Sequence, residues 1–148
     1  LMIQDPHKTI DQYINAGSDT IIIHFEASSN PLDELSYIQK NNVCSGIAIN
    51  PDTDVKHLKP LFKYLDYILI MSVHPGHGGQ NFISSTINKM KNIVEMRESR
   101  NITIAVDGGV NLETISMVYE TGIDVTIVGS GLFKAENIPQ RYKDLLDA

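Results

Sequence analysis

The stretch Ile102-Thr103-Ile104-Ala105-Val106-Asp107-Gly108-Gly109 decides the fold of this chain and places its chemistry. Its five apolar or β-branched residues predict a buried strand, and Asp107 stands where that strand stops. Two glycines follow at once, so backbone N–H groups can approach an anion closely there. Val125-Thr126-Ile127-Val128, followed by Gly129-Ser130-Gly131, repeats the pattern without the acid. Two successive strand ends with glycine loops predict a shared phosphate site, with Asp107 facing the rest of the ligand.

Five apolar runs recur along the chain, and each is long enough for one strand. They are Thr20 to Phe25, Cys44 to Ile49, Tyr67 to Ser72, Ile102 to Val106 and Val125 to Gly129. Near-continuous apolar character is typical of strands that are buried on both faces of a parallel sheet. Helical spacing fills the gaps, notably at Pro31 to Lys40, Leu58 to Leu65, Ile83 to Val94 and Tyr142 to Leu146. The sequence therefore predicts an α/β fold of repeated βα units.

Several local signals predict where helices and strands begin. Asp5-Pro6 is typical of an N-cap and first helical position, and Asn111 is expected to cap a later helix. Asp52 follows a proline in a turn, so we interpret it as a cap as well. Leu1-Met2-Ile3, ahead of the first helix, is interpreted as the end of a sixth strand.

Two architectures fit a repeating βα pattern: a doubly wound open sheet and an eight-stranded barrel. The 148 residues are few for a barrel, which typically has about 250. However, glycine loops after the last two strands match the usual barrel phosphate site, after strands 7 and 8. We therefore predict the C-terminal part of a (β/α)8 barrel, as one incomplete domain over residues 1–148.

Composition limits the classes of function and location. The net charge of -6 argues against nucleic-acid or membrane-surface binding, so local backbone dipoles must hold any anionic ligand. Cys44 is the only cysteine, which excludes a disulfide framework and favours a reducing cytoplasm. No apolar run reaches transmembrane length and no signal peptide is visible, so we expect a cytoplasmic protein.

A third glycine-rich loop follows the third strand, with glycines at positions 76, 78 and 79. It can wrap closely around a ligand, although a plain flexible connection has the same composition. His74 and His77 bracket Gly76, and we interpret them as exposed or loop-bracing because H-x-x-H in a loop is a weak metal motif. Met71 is expected to pack beside the pocket. His24 and Glu26 are interpreted as a hydrogen-bonded pair that supports the interior rather than as catalytic groups.

Six segments together resemble the ribulose-phosphate 3-epimerase family, and they occur in family order over essentially the whole chain. They are Leu1-Met2, His24-Phe25-Glu26-Ala27, Gly46 to Pro51, Met71 to Gln80, Val106 to Val110 and Val128 to Phe133. The resemblance implies a barrel enzyme that interconverts D-ribulose 5-phosphate and D-xylulose 5-phosphate. In the family, two aspartates on opposite faces of the substrate move the proton at carbon 3 through an enediolate. A divalent metal, held by two histidines and the same aspartates, stabilises the developing oxyanion.

The resemblance assigns roles to single positions of this chain. Asp107 looks like one of the two acid/base aspartates and like one metal ligand, and Zn, Fe, Mn or Co would fit such a site. The positions that match substrate-contacting segments are Met71, Gly76, His77, Gly78, Gly79, Gly108, Gly109, Gly129 and Ser130.

The departures from the family pattern limit what the chain is expected to do. The other aspartate, both metal histidines and a substrate-binding serine have no counterpart, which implies that at least two N-terminal strands of the pattern are absent. One carboxylate cannot serve both faces of the substrate, so we predict that these 148 residues alone are inactive and need not bind the metal. His77 replaces a usual phenylalanine and His74 a usual asparagine or glutamate.

Alternatives therefore stay open. A related epimerase could act on a ketohexose phosphate such as allulose 6-phosphate, and a non-catalytic sugar-phosphate-binding remnant would keep the same loops. A lyase or synthase would be supported by a lysine at a strand end, and the five runs contain none. An incomplete barrel exposes sheet edges, so we expect a homo-oligomer in which a neighbouring chain covers the gap, or a further segment that covers it.

Overall fold

Five parallel strands form a single sheet in the computed structural model, which describes residues 1–148. The strands are β1 (Thr20–His24), β2 (Cys44–Ile49), β3 (Tyr67–Met71), β4 (Thr103–Asp107) and β5 (Val125–Ile127). They lie side by side in chain order, with β1 and β5 at the two edges. A doubly wound sheet reverses its strand order at a switch point, and this sheet does not. The sequential order is that of a barrel wall, which confirms the predicted fold class, and each strand lies within two residues of its predicted bounds.

The connections between strands are mostly helical. The α-helices are α1 (Ile10–Asn15), α2 (Pro31–Lys40), α3 (Thr86–Arg97), α4 (Ile115–Tyr119), α5 (Ser130–Phe133) and α6 (Ile138–Leu146). Three segments are 3-10 helices: Pro6–Lys8, Phe25–Ala27 and Val55–Tyr64. None of the helices has the length and apolar character that crossing a membrane requires.

The helices pack on one face of the sheet. Alternate strand residues such as Ile21, Ile47 and Ile68 join helix residues such as Leu35 and Met90 in one cluster of 23 buried side chains. The opposite face carries a small apolar cluster: Ala48, Leu69, Met71 and Ala105. Since side chains alternate along a strand, these two clusters are the outer and inner layers of a partial barrel.

Of two predictions near the N-terminus, one is wrong and the other is confirmed in position only. Leu1-Met2-Ile3 is not a strand, although the amino group of Leu1 donates to the carbonyl oxygen of Ile22 beside β1. Asp5 does precede a helix that begins at Pro6, but this helix is the 3-10 turn Pro6–Lys8, and Asp5 has a left-handed backbone and makes no side-chain cap bond. The α-helix begins only at Ile10. Lys8 instead donates to the Asp5 carboxylate at 2.8 Å, which leaves the expected capping geometry unmade.

Of the two later predicted caps, one is confirmed and the other is wrong. Asn111 caps the turn that leads into α4, because its side chain accepts from the Glu113 N–H at 2.9 Å and its carbonyl oxygen accepts from the Ile115 N–H at 3.0 Å. The regular α-helix itself begins at Ile115. Asp52 is exposed, and the next helix is capped by Asp54, which accepts from the Lys56 N–H at 2.9 Å. Short polar side chains two residues apart compete for such roles, and local sequence does not decide between them.

Candidate functional site

A cavity of about 770 Å³ opens at the carboxyl ends of the strands. Loops that follow all five strands contribute to its lining. The structure brings together around it every residue that sequence reasoning assigned to the site: Met71, Gly76, His77, Gly78, Gly79, Asp107, Gly108, Gly109, Gly129 and Ser130. In parallel α/β folds this edge of the sheet is the ligand-binding face.

The loops after β3 and β4 are packed so tightly that two glycines are required. A methyl group built on Gly108 would lie 2.6 Å from a Val73 methyl, and one on Gly109 would lie 2.5 Å from the Phe82 nitrogen. Both glycines also have φ in the left-handed region, +120° and +68°. The backbone at the end of β4 is therefore held in one conformation by its neighbour, as a preorganised anion site needs.

Ser72, which sequence reasoning missed, ties these two loops together. It is buried at the end of β3, and its hydroxyl donates to the Gly108 carbonyl at 2.6 Å. Its N–H donates to the Asp107 carbonyl at 2.8 Å. A serine at a strand end gives no distinctive signal, because its partner lies 36 residues away.

The glycine-rich loop after β3 is braced from within. The Gln80 side-chain amide donates to the carbonyl oxygens of His74 and His77, each at 2.8 Å. The His74 ring lies 3.5 Å from the exposed carboxylate of Asp52, a residue of the loop after β2. Both histidines are exposed on the cavity lining, which is one of the two alternatives that the sequence leaves open.

Asp107 is half-buried at the end of β4, beside Gly108. Burial raises the pKa of its carboxyl group above the ordinary value, and a hydrogen bond from the Gly108 backbone opposes that rise only in part. A carboxyl group with a raised pKa exchanges a proton more easily near neutral pH than an ordinary aspartate does.

Glu26 lines the same cavity but is held in the opposite way. Burial acts to raise its pKa, yet the neighbouring His24 ring and hydrogen bonds from the Asn50 N–H and the Thr53 hydroxyl outweigh burial and lower the pKa to about 2. Its carboxylate lies 3.6 Å from His24 and accepts from the Asn50 N–H at 2.8 Å. His24 and Glu26 are therefore neighbours, as the sequence predicts, but at a distance longer than a hydrogen bond, and Glu26 lies in the turn after β1 rather than in the strand.

Lys89 on α3 is a second residue that sequence reasoning missed. Its ammonium group donates to the carbonyl oxygens of Asn50, Pro51 and Thr53 at 2.8, 2.6 and 2.5 Å. Burial lowers the pKa of this amine, and nearby carboxylates oppose the effect. Lys89 therefore fastens the loop after β2, which in turn holds Glu26 at the cavity wall.

Comparison with known proteins places this geometry in a family. The model of the ribulose-phosphate 3 epimerase family matches residues 1–133. The chain belongs to this family. The resemblance that was read from six short segments is thereby confirmed over most of the chain.

Two relatives in the family are ribulose-phosphate 3-epimerases from bacteria. That of Chlamydia trachomatis serovar D is 36% identical over 149 residues, which is 98% of this chain and 64% of the relative. That of Aquifex aeolicus is 35% identical over 147 residues, which is 98% of this chain and 66% of the relative. The chain thus spans just under two thirds of the length of these epimerases.

Solved structures show the same fold at low sequence identity. The 3-hexulose-6-phosphate synthase of Salmonella typhimurium has a TM-score of 0.70 at 18% identity, over 95% of this chain and 66% of that chain. A mutant tryptophan synthase alpha-subunit from Pyrococcus furiosus has a TM-score of 0.67 at 16% identity, over 97% and 61%. At such identity the likeness concerns the fold alone.

The divalent metal that the family resemblance implies does not find a complete site in these residues. Nowhere in residues 1–148 do three histidine, cysteine, aspartate or glutamate side chains come together as metal ligands. Asp107 is a single carboxylate, and Glu26 already accepts hydrogen bonds from the Asn50 N–H and the Thr53 hydroxyl. The predicted metal-ligand role of Asp107 stays a prediction.

Proposed function

We propose that the protein takes part in epimerisation of a ketopentose phosphate at carbon 3, converting D-ribulose 5-phosphate to D-xylulose 5-phosphate. The observation that carries this proposal is the placement of Asp107, a carboxyl group with a raised pKa, on one cavity with three glycine loops. The loops after β3, β4 and β5 would bind the phosphate through backbone N–H groups. Asp107 would take or return the carbon 3 proton on one face of the substrate.

The contrast between the two cavity carboxylates supports the assignment to Asp107. Two acids whose surroundings move their pKa values apart have different roles. Glu26, with a pKa of about 2, is a poor proton acceptor at neutral pH and is fixed by its hydrogen bonds. Asp107 accepts only a backbone hydrogen bond, from Gly108, and so keeps its carboxylate oxygens available to substrate.

Inversion at carbon 3 needs an acid and a base on opposite faces, and Asp107 reaches one face only. We therefore infer that these 148 residues by themselves bind the sugar phosphate without turning it over at a normal rate. A carboxylate on the opposite face would have to come from outside them. The family and the relatives support the reaction class, and the roles of Asp107 and of the glycine loops are our proposal.

The test compares binding with turnover. Titration calorimetry should show that the chain binds D-ribulose 5-phosphate but not D-ribulose, while NMR detects no D-xylulose 5-phosphate at enzyme-like rates. Asp107→Asn should leave that binding within about threefold, because the carboxyl group contacts carbon 3 and not the phosphate.

Three outcomes would contradict parts of the proposal. Absence of any phosphate-ester binding would refute the site, and normal turnover by the 148-residue chain would refute the single-face argument. Tighter binding of allulose 6-phosphate than of D-ribulose 5-phosphate would replace the pentose substrate with a hexose phosphate.

A further inference from the structure

A lysine lies against the glycine-rich loop at the edge of the cavity. A methyl group built on Gly79 would lie only 3.0 Å from the ammonium nitrogen of Lys134. Gly79 lines the cavity together with Gly129 and Ser130, and Lys134 directly follows the short helix α5 that begins at Ser130. The ammonium group is therefore beside the glycine-rich loop after β3, while its backbone belongs to the segment that follows β5.

The ammonium group of Lys134 has no hydrogen-bond or ion-pair partner in the structure. It donates no hydrogen bond, and the six ion pairs of the chain do not include it. Lys89 also contacts a cavity-lining residue, Asn50, but its ammonium group already donates to three carbonyl oxygens. Lys134 is thus an uncommitted cation beside Gly79, which lines the cavity that also carries the carboxylates Asp107 and Glu26.

The backbone that carries Lys134 is held in place. A methyl group built on Gly131 would lie 2.4 Å from the Val110 carbonyl oxygen, so α5 is packed directly on the loop after β4. Arg141 on α6 donates to the Gly131 carbonyl at 3.1 Å, and the Lys134 N–H donates to the Ser130 carbonyl at 3.1 Å. These contacts fix the base of the Lys134 side chain while its ammonium end stays exposed.

We propose that the ammonium group of Lys134 binds the phosphate group of the sugar phosphate, at the side of the site formed by Gly79. The inference rests on the proposed function, because it takes the glycine loops to surround a phosphate. Backbone N–H groups provide neutral donors, and a lysine adds a charge-assisted bond that is stronger and depends on salt. Lys134 would thus be a binding residue that raises affinity for the phosphorylated sugar and plays no part in proton transfer.

The test uses charge-removing and charge-keeping variants. Lys134→Met should raise the Kd for D-ribulose 5-phosphate about tenfold at low salt, whereas Lys134→Arg should stay within about threefold of the parent. Lys143→Met, an exposed lysine on α6, is the matched control and should change the Kd by less than about twofold. Inorganic phosphate should lose affinity in parallel with the ester. The difference between the parent and Lys134→Met should shrink as salt is raised.

The possible outcomes separate this inference from the proposed function. If the parent binds D-ribulose 5-phosphate and Lys134→Met binds it equally well, the Lys134 contact is refuted and the proposed function stands. An equal loss in Lys143→Met would show a general charge effect and would also refute the contact. If the parent binds no phosphate ester, both proposals fail. Thermal unfolding of each variant checks that the fold is intact, and an exposed lysine should change Tm little.

Discussion

At the scale of single residues, two carboxyl groups that line the same cavity differ in pKa because their surroundings differ. Asp107 is half-buried and accepts one backbone hydrogen bond, so burial dominates and its pKa rises. Glu26 is also partly buried, but the Asn50 N–H and the Thr53 hydroxyl donate to its carboxylate beside His24, and its pKa falls to about 2. The first arrangement leaves a group free for proton transfer, and the second uses a group to hold two loops together.

The lowered pKa of Glu26 gives a prediction about acid stability. Because its folded pKa of about 2 lies below the ordinary 4.5, the stability it contributes is present above about pH 4.5 and lost as pH falls through about 2. Glu26→Gln should lower the unfolding free energy at pH 7 by about 1 kcal/mol, since solvent screens a half-exposed carboxylate. The difference in unfolding free energy between the variant and the parent should shrink as the pH falls from about 4.5 toward 2.

Urea unfolding at a series of pH values measures this difference. Glu95→Gln, on the exposed side of α3, is the control. Its unfolding free energy should differ little from that of the parent, and the difference should depend little on pH. If the difference in unfolding free energy between Glu26→Gln and the parent stays constant down to pH 2, the carboxylate charge does not cause that difference.

At the scale of elements, the strands were more predictable than the caps and helices. The apolar runs match β1 to β5 because a strand buried on both faces leaves an unambiguous local pattern. The predicted cap at Asp52 failed and Asp5 precedes only a 3-10 turn, because neighbouring polar groups and 3-10 turns compete within a few residues. Asn111, by contrast, does cap the turn that leads into α4. The loop after β2 shows a further limit, since its conformation is held by a lysine from α3.

Removing the Lys89 ammonium group should therefore loosen an entire loop. Lys89→Met keeps the alkyl chain but leaves three carbonyl oxygens without their charged donor, which should cost about 2 kcal/mol of unfolding free energy. Lys91→Met, on the exposed side of the same helix, should change it by less than about 0.5 kcal/mol. Equal unfolding midpoints in urea for the two variants would contradict the anchoring role of Lys89.

At the scale of the whole molecule, the sheet has two unpaired edges and an inner face that is only partly covered. Val125 and Ile127 on β5 are 38% and 39% exposed, which is unusual for strand residues of a parallel sheet. Unpaired edge strands associate with other chains unless something covers them. We therefore expect this chain to form homo-oligomers through its edge strands.

A charge placed on the edge tests that expectation. Val125→Lys should shift the light-scattering mass toward the monomer, because a lysine on an edge strand opposes strand pairing. Met117→Lys is the matched control, since Met117 is 37% exposed but lies on helix α4. A parent chain that is a stable monomer at every concentration would rule out the predicted association.

The sequence by itself determined the five strands, their parallel barrel arrangement and the cluster of Asp107 with three glycine loops. These follow from local patterns, because buried strands and strand-end glycines are visible within a few neighbouring residues. Only the tertiary structure decided which side chains anchor the loops of the site and which charged groups lie beside it. Ser72 reaches Gly108 and Lys89 reaches Asn50 across 36 and 39 residues, and Lys134 lies beside Gly79. Contacts between residues so far apart leave no periodic or compositional trace, so they appear only when the strands bring their ends together.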